Sequence, residues 1–599
     1  MLRLVLAIVL ALAVAAPANA RDRGCDARSD AERSAPVAGR TQMVAAAHPL
    51  AAAAGCEVLS RGGSAADAAV AAQMVLAVVE PQSSGLGGGT LITHYDRSHR
   101  RVRHYEGLAS APAHVTDGLR TPTEAEQAEL GIEAFASEVA ATGRAVGVPG
   151  TVRVLAQAHE RDGRLPWRRL FGRAIGLAEH GFAMPPYLHE VMEETANGLP
   201  RCAYPDLRAR YCDGDVPKPV GARIVNRELA QVLREVRDGG ARAFYDPRGR
   251  IAPAIVARAT AGPYKLETNA AGPAVIPSLM TVRDLAGYRA VARHALCRER
   301  LGRTVCTAPP PSFGGVTLLE ALGLMERGGI ADLAPLSPER VHLAIEASRL
   351  ANMDRRQHVG DPDYGPVPVR GLLDEAYLDE RFRLFSPDRA VHPVEPGMPA
   401  ASGEDRTSHV SIVDRRGDAV SMTTTVNSNF GAQLEARGIV LNNAQENFTR
   451  LDSISPGAEV NEMEPGKRPR SSMAPSLALD RHGRLRLVVG AAGGSAIPDY
   501  VAQTFLGVTV DGLDPQAAIA QGHWSGQEIA SNCGGAVGPP SELERDSDAA
   551  ALLPALQQRA HPCPRLSELR SGLTAVEVRR HGRLLGAADP RRDGAAVGN

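Results

Sequence analysis

The sequence lacks an excess of charge of either sign. Its 67 basic and 68 acidic residues leave a formal net charge of −1, whereas a nucleic-acid binder carries a basic surplus to meet phosphates. Aromatic residues are scarce at 4%, which leaves few platforms for stacking bases or sugars. Common catalytic signatures are missing as well. There is no His-Glu-x-x-His. Pro465-Gly466-Lys467-Arg468 lacks the earlier glycine of a phosphate-binding loop, and Gly85-x-Gly87 follows a helical stretch instead of a strand. No Gly-x-Ser-x-Gly elbow sits between a strand and a helix, and no Ser–His pair is evident for a conventional serine hydrolase. No two cysteines form a Cys-x-x-Cys, so neither a metal nor any other cofactor is expected. Beyond residues 1–20, no apolar run approaches the about 18 residues of a membrane span.

The 599 residues are 44% apolar and 23% charged, a globular composition that excludes global disorder. The length accommodates several domains or one large α/β body. Met1–Arg3 is a short basic start, Leu4–Ala16 is apolar, and Ala18-Asn19-Ala20 is a small-x-small cleavage site. This pattern predicts a secretory leader over 1–20 and a mature protein, free of the membrane, in the periplasm or medium of a bacterium. Eight cysteines suit that route: Cys25, Cys56, Cys202, Cys212, Cys297, Cys306, Cys533 and Cys563. An even count in an oxidising compartment favours disulfides over metal binding. Proximity suggests Cys202–Cys212, Cys297–Cys306 and Cys533–Cys563.

Ala65–Val79 has the length and composition of a buried helix, with Gly62-Gly63-Ser64 supplying its N-cap. A glycine-rich turn over Gly85–Gly89 follows, and then a strand over Leu91–Tyr95. From about Thr151 to Asp379 the pattern reads as mostly helical. Pro387–Arg406 is rich in proline, glycine and charge and predicts an exposed connector. After it the texture changes. His409–Val413 and Ala419–Val426 alternate around an Asp414–Asp418 turn, and Leu477–Leu479 and Leu485–Val489 flank Asp480–Gly483. These are hairpin patterns. The C-terminal third therefore opens as antiparallel sheet, with helical stretches after it.

A hydroxyl residue, Thr407, stands where the connector meets the first of these strands. If the Arg406–Thr407 bond breaks, Thr407 becomes an amino terminus and its own α-amine can act as base for its Oγ. An α-amino group titrates near about 7.7–8 and lower when partly buried, so much of it is neutral at pH 7.

The stretches Thr407–Asp414, Asn427-Ser428-Asn429-Phe430-Gly431, Gly438–Asn443, Lys467–Met473, Gly490–Ser495 and Gly586–Gly594 resemble the small subunit of γ-glutamyltranspeptidases. Gly62–Val70, Gly85–Gly89, Pro309–Gly315 and Gly360–Asp363 resemble the large subunit. The resemblance runs in order through nearly the whole chain after the leader. It implies an α+β N-terminal-nucleophile hydrolase, an αββα sandwich of two antiparallel sheets between helical layers. It also implies autocleavage into subunits 21–406 and 407–599, which stay together as partners. Thr407 would be both the processing residue and the nucleophile, with Thr425 hydrogen-bonded to it. Gly493 and Gly494 would offer N–H groups to the oxyanion, Asn427 would contribute hydrogen bonds, and Ser471 and Ser472 would bind a substrate carboxylate.

The chain departs from the family pattern where that pattern grips an amino-acid zwitterion. Leu108 stands where the family carries an arginine for the substrate α-carboxylate. Ala444 replaces a glutamine or glutamate, and Asn447 replaces the aspartate that meets the α-ammonium. The lid-like segment Thr449–Gly466 is short. The expected substrate is therefore a γ-glutamyl or related N-acyl amide, with water or an amine as acceptor. A glutaryl-type acylase and an inactive processed binding protein are the alternatives.

Overall fold

The alternating segments pair into two seven-stranded sheets in the computed structural model, which describes residues 25, 35–115, 124–125, 128, 142–196, 198–262, 264–265, 274–391, 406–449, 458–527, 531–533 and 536–599. The expected leader 1–20, most of the expected 387–406 connector and residues 450–457 of the lid-like segment lie outside those residues. The first sheet runs Val291–His294, Arg101–Gly107, Gly89–Asp96, Ala419–Asn427, Arg406–Val413, Met43–Ala46, Ala595–Gly598. The second runs Val37–Gly39, Leu584–Ala588, Thr574–Val578, Leu485–Gly490, Ser476–Leu479, Arg303–Thr307, Leu296–Arg300. Neighbours in both are antiparallel.

Successive strand residues face opposite ways, and this sorts the strands among three cores. Val44, Ala46, Val410, Ile412, Val420 and Met422 face the helices Pro49–Ser60 and Ala65–Val79. Met43, Ala45, Val413 and Ala419 face the second sheet, against Val488, Val576 and Leu584. Leu487, Val489 and Ala575 of that sheet face the helices Gly314–Arg327, Pro338–His358 and Ile497–Thr509. The layers are thus helix, sheet, sheet, helix: an α+β αββα sandwich, as the resemblance implied. His409 lies wholly buried between the sheets, its Nδ1 2.8 Å from Thr423 Oγ1. Its imidazole lies against Gly490, where an added Cβ would sit 2.3 Å from the ring.

Local chemistry explains the elements that were legible. Ser64 and Asp67 form a reciprocal capping box at the start of Ala65–Val79, and every residue of that helix is buried. Asp414 and Asp480 build the same turn twice. Asp414 Oδ1 accepts the N–H groups of Arg416 (2.8 Å) and Asp418 (3.1 Å), and Asp480 Oδ1 accepts those of His482 (2.9 Å) and Arg484 (3.1 Å).

Three expectations change. The 151–379 stretch is not mostly helical throughout, because it supplies the strands Val291–His294, Leu296–Arg300 and Arg303–Thr307. These sit at or beside the sheet edges, where charged residues blunt the apolar alternation. Strand is also not confined to the start of the C-terminal third: Thr574–Val578, Leu584–Ala588 and Ala595–Gly598 complete both sheets. Cys202–Cys212 and Cys297–Cys306 are bonded as expected, and Cys25–Cys56 is a third bridge that spacing did not suggest. Cys563 is disulfide-bonded, and the side chain of Cys533 lies outside those described. Among the described residues no helix is long and apolar enough to cross a membrane.

The His409 contact sets a packing test. Gly490→Ala should cost on the order of 1–3 kcal/mol by overpacking the inter-sheet core. Gly176→Ala, in the helix Gly172–His180 with nothing within 4 Å of the new Cβ, should add about 1 kcal/mol. Thermal denaturation of both variants checks the opposite signs. A Gly490→Ala protein as stable as the parent would mean that the sheets do not close on each other there.

Candidate active site

Thr407 lies in a register break of a central strand. Arg406 pairs with Asn427 and Ser408 with Thr424, so Thr407 alone faces two residues of the neighbouring strand, Thr425 and Val426. A bulge of this kind re-aims a side chain. Thr407 is fully buried, and its Oγ1 has no hydrogen-bond partner among the described residues. Its carbonyl accepts Arg592 Nη1 at 3.0 Å. Arg592 is itself held by the Arg570 carbonyl at 3.0 Å and lies over the Tyr187 ring. The next residue, Ser408, donates its hydroxyl to Glu80 at 2.5 Å. Glu80 follows directly on the buried Ala65–Val79 helix. Burial pushes its carboxyl up to about 7, against the pull of the Arg592 charge and the Ser408 bond.

Thr425 lies opposite Thr407, but the expected hydrogen bond between them is not formed in the unbroken chain. Thr425 Oγ1 instead accepts the Asn427 N–H at 2.8 Å, at the point where Asn427 leaves the strand with φ +81°. Gly493 and Gly494 also have positive φ, +124° and +64°, and lead into the Ile497–Thr509 helix. A Cβ on Gly493 would lie 2.4 Å from the Tyr500 ring. Gly493 neighbours Ser571, and Gly572 meets Arg592.

Six of the residues singled out by sequence line one cleft: Leu108, Thr425, Asn427, Ala444, Asn447 and Ser471. Its volume is about 20 Å³, room for about one water. Thr407, Ser472 and the two glycines lie outside its lining. Apart from Arg470, the cleft is walled by neutral groups. Asn447 Nδ2 donates to Asn427 Oδ1 at 2.8 Å and Asn427 Nδ2 to the Asn443 carbonyl at 3.2 Å. Leu108 packs with Leu91, Ala308 and Met473. Ser471 Oγ accepts the Met473 N–H at 3.3 Å, and Ser472 Oγ is buried without a partner among the described residues.

Sequence reasoning missed the residues that hold this cleft in place. Ser312 donates to the carbonyls of Met473 (2.6 Å) and Ser471 (2.9 Å). The Arg468 N–H reaches Asp361 at 3.0 Å, and its guanidinium pairs with Glu106 at 2.9 Å. Arg293 joins Glu106 to Asp363. Asn442 ties the Gly87 and Gly147 carbonyls together at 2.7 and 2.8 Å. Arg470 also lines the cleft. Most of these residues lie in or beside the motif runs, but their pairing across the chain has no local signal.

Elsewhere, buried His342, Glu346 and His561 come close enough to suggest a metal centre. His342 Nδ1 and His561 Nε2 are bonded to each other at 2.8 Å, and Glu346 is engaged by Arg349 and the Val391 N–H. The cluster is a self-satisfied hydrogen-bond network, and the adjacent guanidinium disfavours a cation.

Comparison with known proteins adds ancestry to this geometry. The profile described as gamma-glutamyltranspeptidase matches residues 51–599. The chain is 32% identical over 501 residues to the glutathione hydrolase proenzyme of Bacillus subtilis (strain 168), covering 81% of this chain and 80% of that protein. It is also 32% identical over 567 residues to the acylase ACY 1 proenzyme of Pseudomonas sp. (strain SE83), covering 94% of each. The cephalosporin acylase from Bacillus halodurans shares the fold, with a TM-score of 0.77 at 24% identity over 95% of this chain and 97% of that chain. The γ-glutamyltranspeptidase of Helicobacter pylori aligns with a TM-score of 0.51 at 28% identity, over 59% of this chain and 94% of that chain. From the profile match and the two 32%-identical relatives, the chain belongs to the gamma-glutamyltranspeptidase family.

Proposed function

We propose that this chain is an exported, self-processing amide hydrolase or acyltransferase whose nucleophile is Thr407. The observation that carries the reading is a buried threonine hydroxyl without a partner among the described residues, at the head of a central strand. In maturation, Thr407 Oγ attacks the Arg406 carbonyl carbon, and the peptide C–N bond breaks as its nitrogen takes the hydroxyl proton. Water then hydrolyses the resulting ester, leaving the Arg406 carboxylate and a free Thr407 α-amine. The subunits are 21–406 and 407–599. In turnover, the α-amine accepts the Oγ proton, Oγ attacks the substrate amide, and the amine product leaves with that proton. Water or an amine then takes the acyl group from Oγ. Gly493 and Gly494 present N–H groups to the oxyanion, and Thr425 turns from Asn427 to the new terminus. A cleft with room for about one water must widen to admit an acyl group, and loss of the Arg406–Thr407 bond frees the chain beside it.

The cleft favours an acyl group that carries a carboxylate and no α-amine. Leu108 offers nothing to an α-carboxylate, and Asn447 is an uncharged amide already joined to Asn427. Ser471 and Ser472 remain to bind the distal carboxylate. Truncating one partner of a desolvated charge pair costs about 2–5 kcal/mol, so the loss of two such grips amounts to ~10³-fold or more in kcat/KM for a zwitterionic substrate. Glutaryl-p-nitroanilide should therefore be cleaved better than γ-glutamyl-p-nitroanilide, and Thr407→Ala should abolish both activities. The double change Leu108→Arg with Asn447→Asp should move the preference toward γ-glutamyl. A parent enzyme with γ-glutamyl kcat/KM far above its glutaryl value would mean that other residues grip the zwitterion. Persistent turnover in Thr407→Ala would remove the nucleophile assignment.

Glu80 makes the stability of the unbroken chain fall with pH. Its carboxyl keeps its proton in the fold up to about 7, against an ordinary value of 4.5. Between those values the unfolded chain binds fewer protons, so stability declines as pH rises from about 4.5 to 7 and is flat above, by up to about 3 kcal/mol. Asp593, pushed by burial to about 6, adds a decline of the same sign. In a Thr407→Ala background, Glu80→Gln should raise the melting temperature at pH 8 and flatten the curve between pH 5 and 7. An unchanged pH profile would show that Glu80 is ionised in the fold throughout.

A further inference from the structure

The end of the sandwich opposite Thr407 carries a feature that the amidase reading does not use. Strand Arg406–Val413 begins at the nucleophile and ends, about 20 Å away at roughly 3.3 Å per residue, in a groove of about 850 Å³. Four hairpin turns converge there, two from each sheet. Arg97 and Arg100 come from the turn after Gly89–Asp96, and Arg415 from the Asp414–Asp418 turn. Arg484 and Arg486 flank the start of Leu485–Gly490, and Arg579 and Arg580 come from the turn after Thr574–Val578. Arg40, between Val37–Gly39 and Met43–Ala46, completes the rim. Tyr95, Leu485 and Leu584 form a buried floor.

The rim's charge is local and largely uncompensated. The chain as a whole is balanced at 67 basic to 68 acidic residues, yet the lining holds eight arginines against one carboxylate, Asp414. That carboxylate is consumed from behind by Arg164 at 2.9 Å and by turn N–H groups. Arg486 pairs with Asp480 and Arg579 with Glu577. Arg40, Arg97, Arg100, Arg415, Arg484 and Arg580 form no ion pair among the described residues.

Several of these side chains are fixed, with donors to spare. Arg97 Nη1 donates to the Arg416 carbonyl (2.9 Å), Arg100 Nη1 to the His482 carbonyl (3.1 Å), and Arg415 Nε to Gln42 Oε1 (3.0 Å). Each guanidinium has five N–H donors, so these tethers leave most of them open. Guanidinium groups held in place lose less freedom on binding an oxyanion. A single carboxylate balances one charge, whereas a run of phosphates balances several in one compact ligand.

We infer that this groove is a binding site for a multiply charged phosphate-bearing ligand, remote from the amidase centre. The ligand chemistry fits a free oligophosphate or a cluster of lipid phosphate groups, and the two sources are separable by experiment. Isothermal titration of the wild-type protein with inorganic tripolyphosphate, with citrate as the carboxylate comparison, reads the site directly. Sedimentation with phosphatidylglycerol vesicles, against phosphatidylcholine vesicles, reads the lipid source. Arg40→Gln/Arg484→Gln/Arg580→Gln removes three exposed charges whose side chains make no hydrogen bond among the described residues. Arg484→Glu/Arg580→Glu is a second, reversing variant.

The expected result is binding of tripolyphosphate, weakened by added salt and by about tenfold or more in either variant, with amidase turnover unchanged. Binding to phosphatidylglycerol vesicles with the same loss in the variants also supports the site and names the lipid as its source. Citrate binding as tightly as tripolyphosphate overturns the phosphate assignment. Failure of both phosphate probes to bind, or binding equal in wild type and variants, overturns the site. Neither result bears on Thr407.

Discussion

The pairing of strand Arg406–Val413 between Met43–Ala46 and Ala419–Asn427 is the constraint on which the rest depends. On the proposed reading, a nucleophile that is also a chain terminus sits at the head of a central strand, just before the ladder that starts at Ser408. A free end would have to thread into that position against the loss of chain entropy. A continuous strand is placed there by ordinary hairpin closure with Ala419–Asn427, and in the proposed maturation the end is made afterwards by cutting. The bulge at Thr407 fits this order. It separates Thr407 from the regular ladder that starts at Ser408, so the proposed cleavage would leave that ladder in place. Arg592 and Glu80 reach the same place from the C-terminal segment and from the end of a buried helix, and so complete the setting only when the whole chain has folded.

The proposed chemistry and the proposed specificity draw on different parts of the fold. Thr407, Thr425 and the Gly493–Gly494 turn belong to strand and turn backbone buried by the sandwich. Leu108, Asn447 and Ser471 belong to the cleft wall, held by the Arg468–Glu106–Arg293 ion network and by Ser312. On the proposed reading, substitutions at Leu108 and Asn447 change which acyl group is accepted and leave the residues around Thr407 untouched. Neutral Leu108 and Asn447 leave no buried charge waiting for an absent partner, which is the physical basis of the proposed preference for a substrate without an α-amine.

Much of the fold was legible because local chemistry was unambiguous. The Ser64–Asp67 box, the two aspartate-built turns and the alternation around them gave helix 65–79 and both hairpins close to their observed bounds. The illegible strands were those at or beside sheet edges, such as Val291–His294, and the short C-terminal ones, of which Ala595–Gly598 pairs with Met43–Ala46 near the other end of the chain. The cleft residues were legible because they sit in compact motifs. The supports Asp361, Arg468 and Glu106 were not, because an ion pair across some 360 residues leaves no trace in spacing. Cys25–Cys56, 31 residues apart, escaped because its spacing is no closer than that of other possible pairs, and the arginine groove because five separate segments assemble it.

The most direct test of the account is the mass of the purified protein. Self-processing through Thr407 predicts two fragments, the smaller beginning Thr-Ser-His at residue 407, and a single unbroken chain in Thr407→Ala under the same conditions. A protein that remains unbroken yet cleaves N-acyl amides, or a Thr407→Ala chain cut at the same bond by itself, would contradict it.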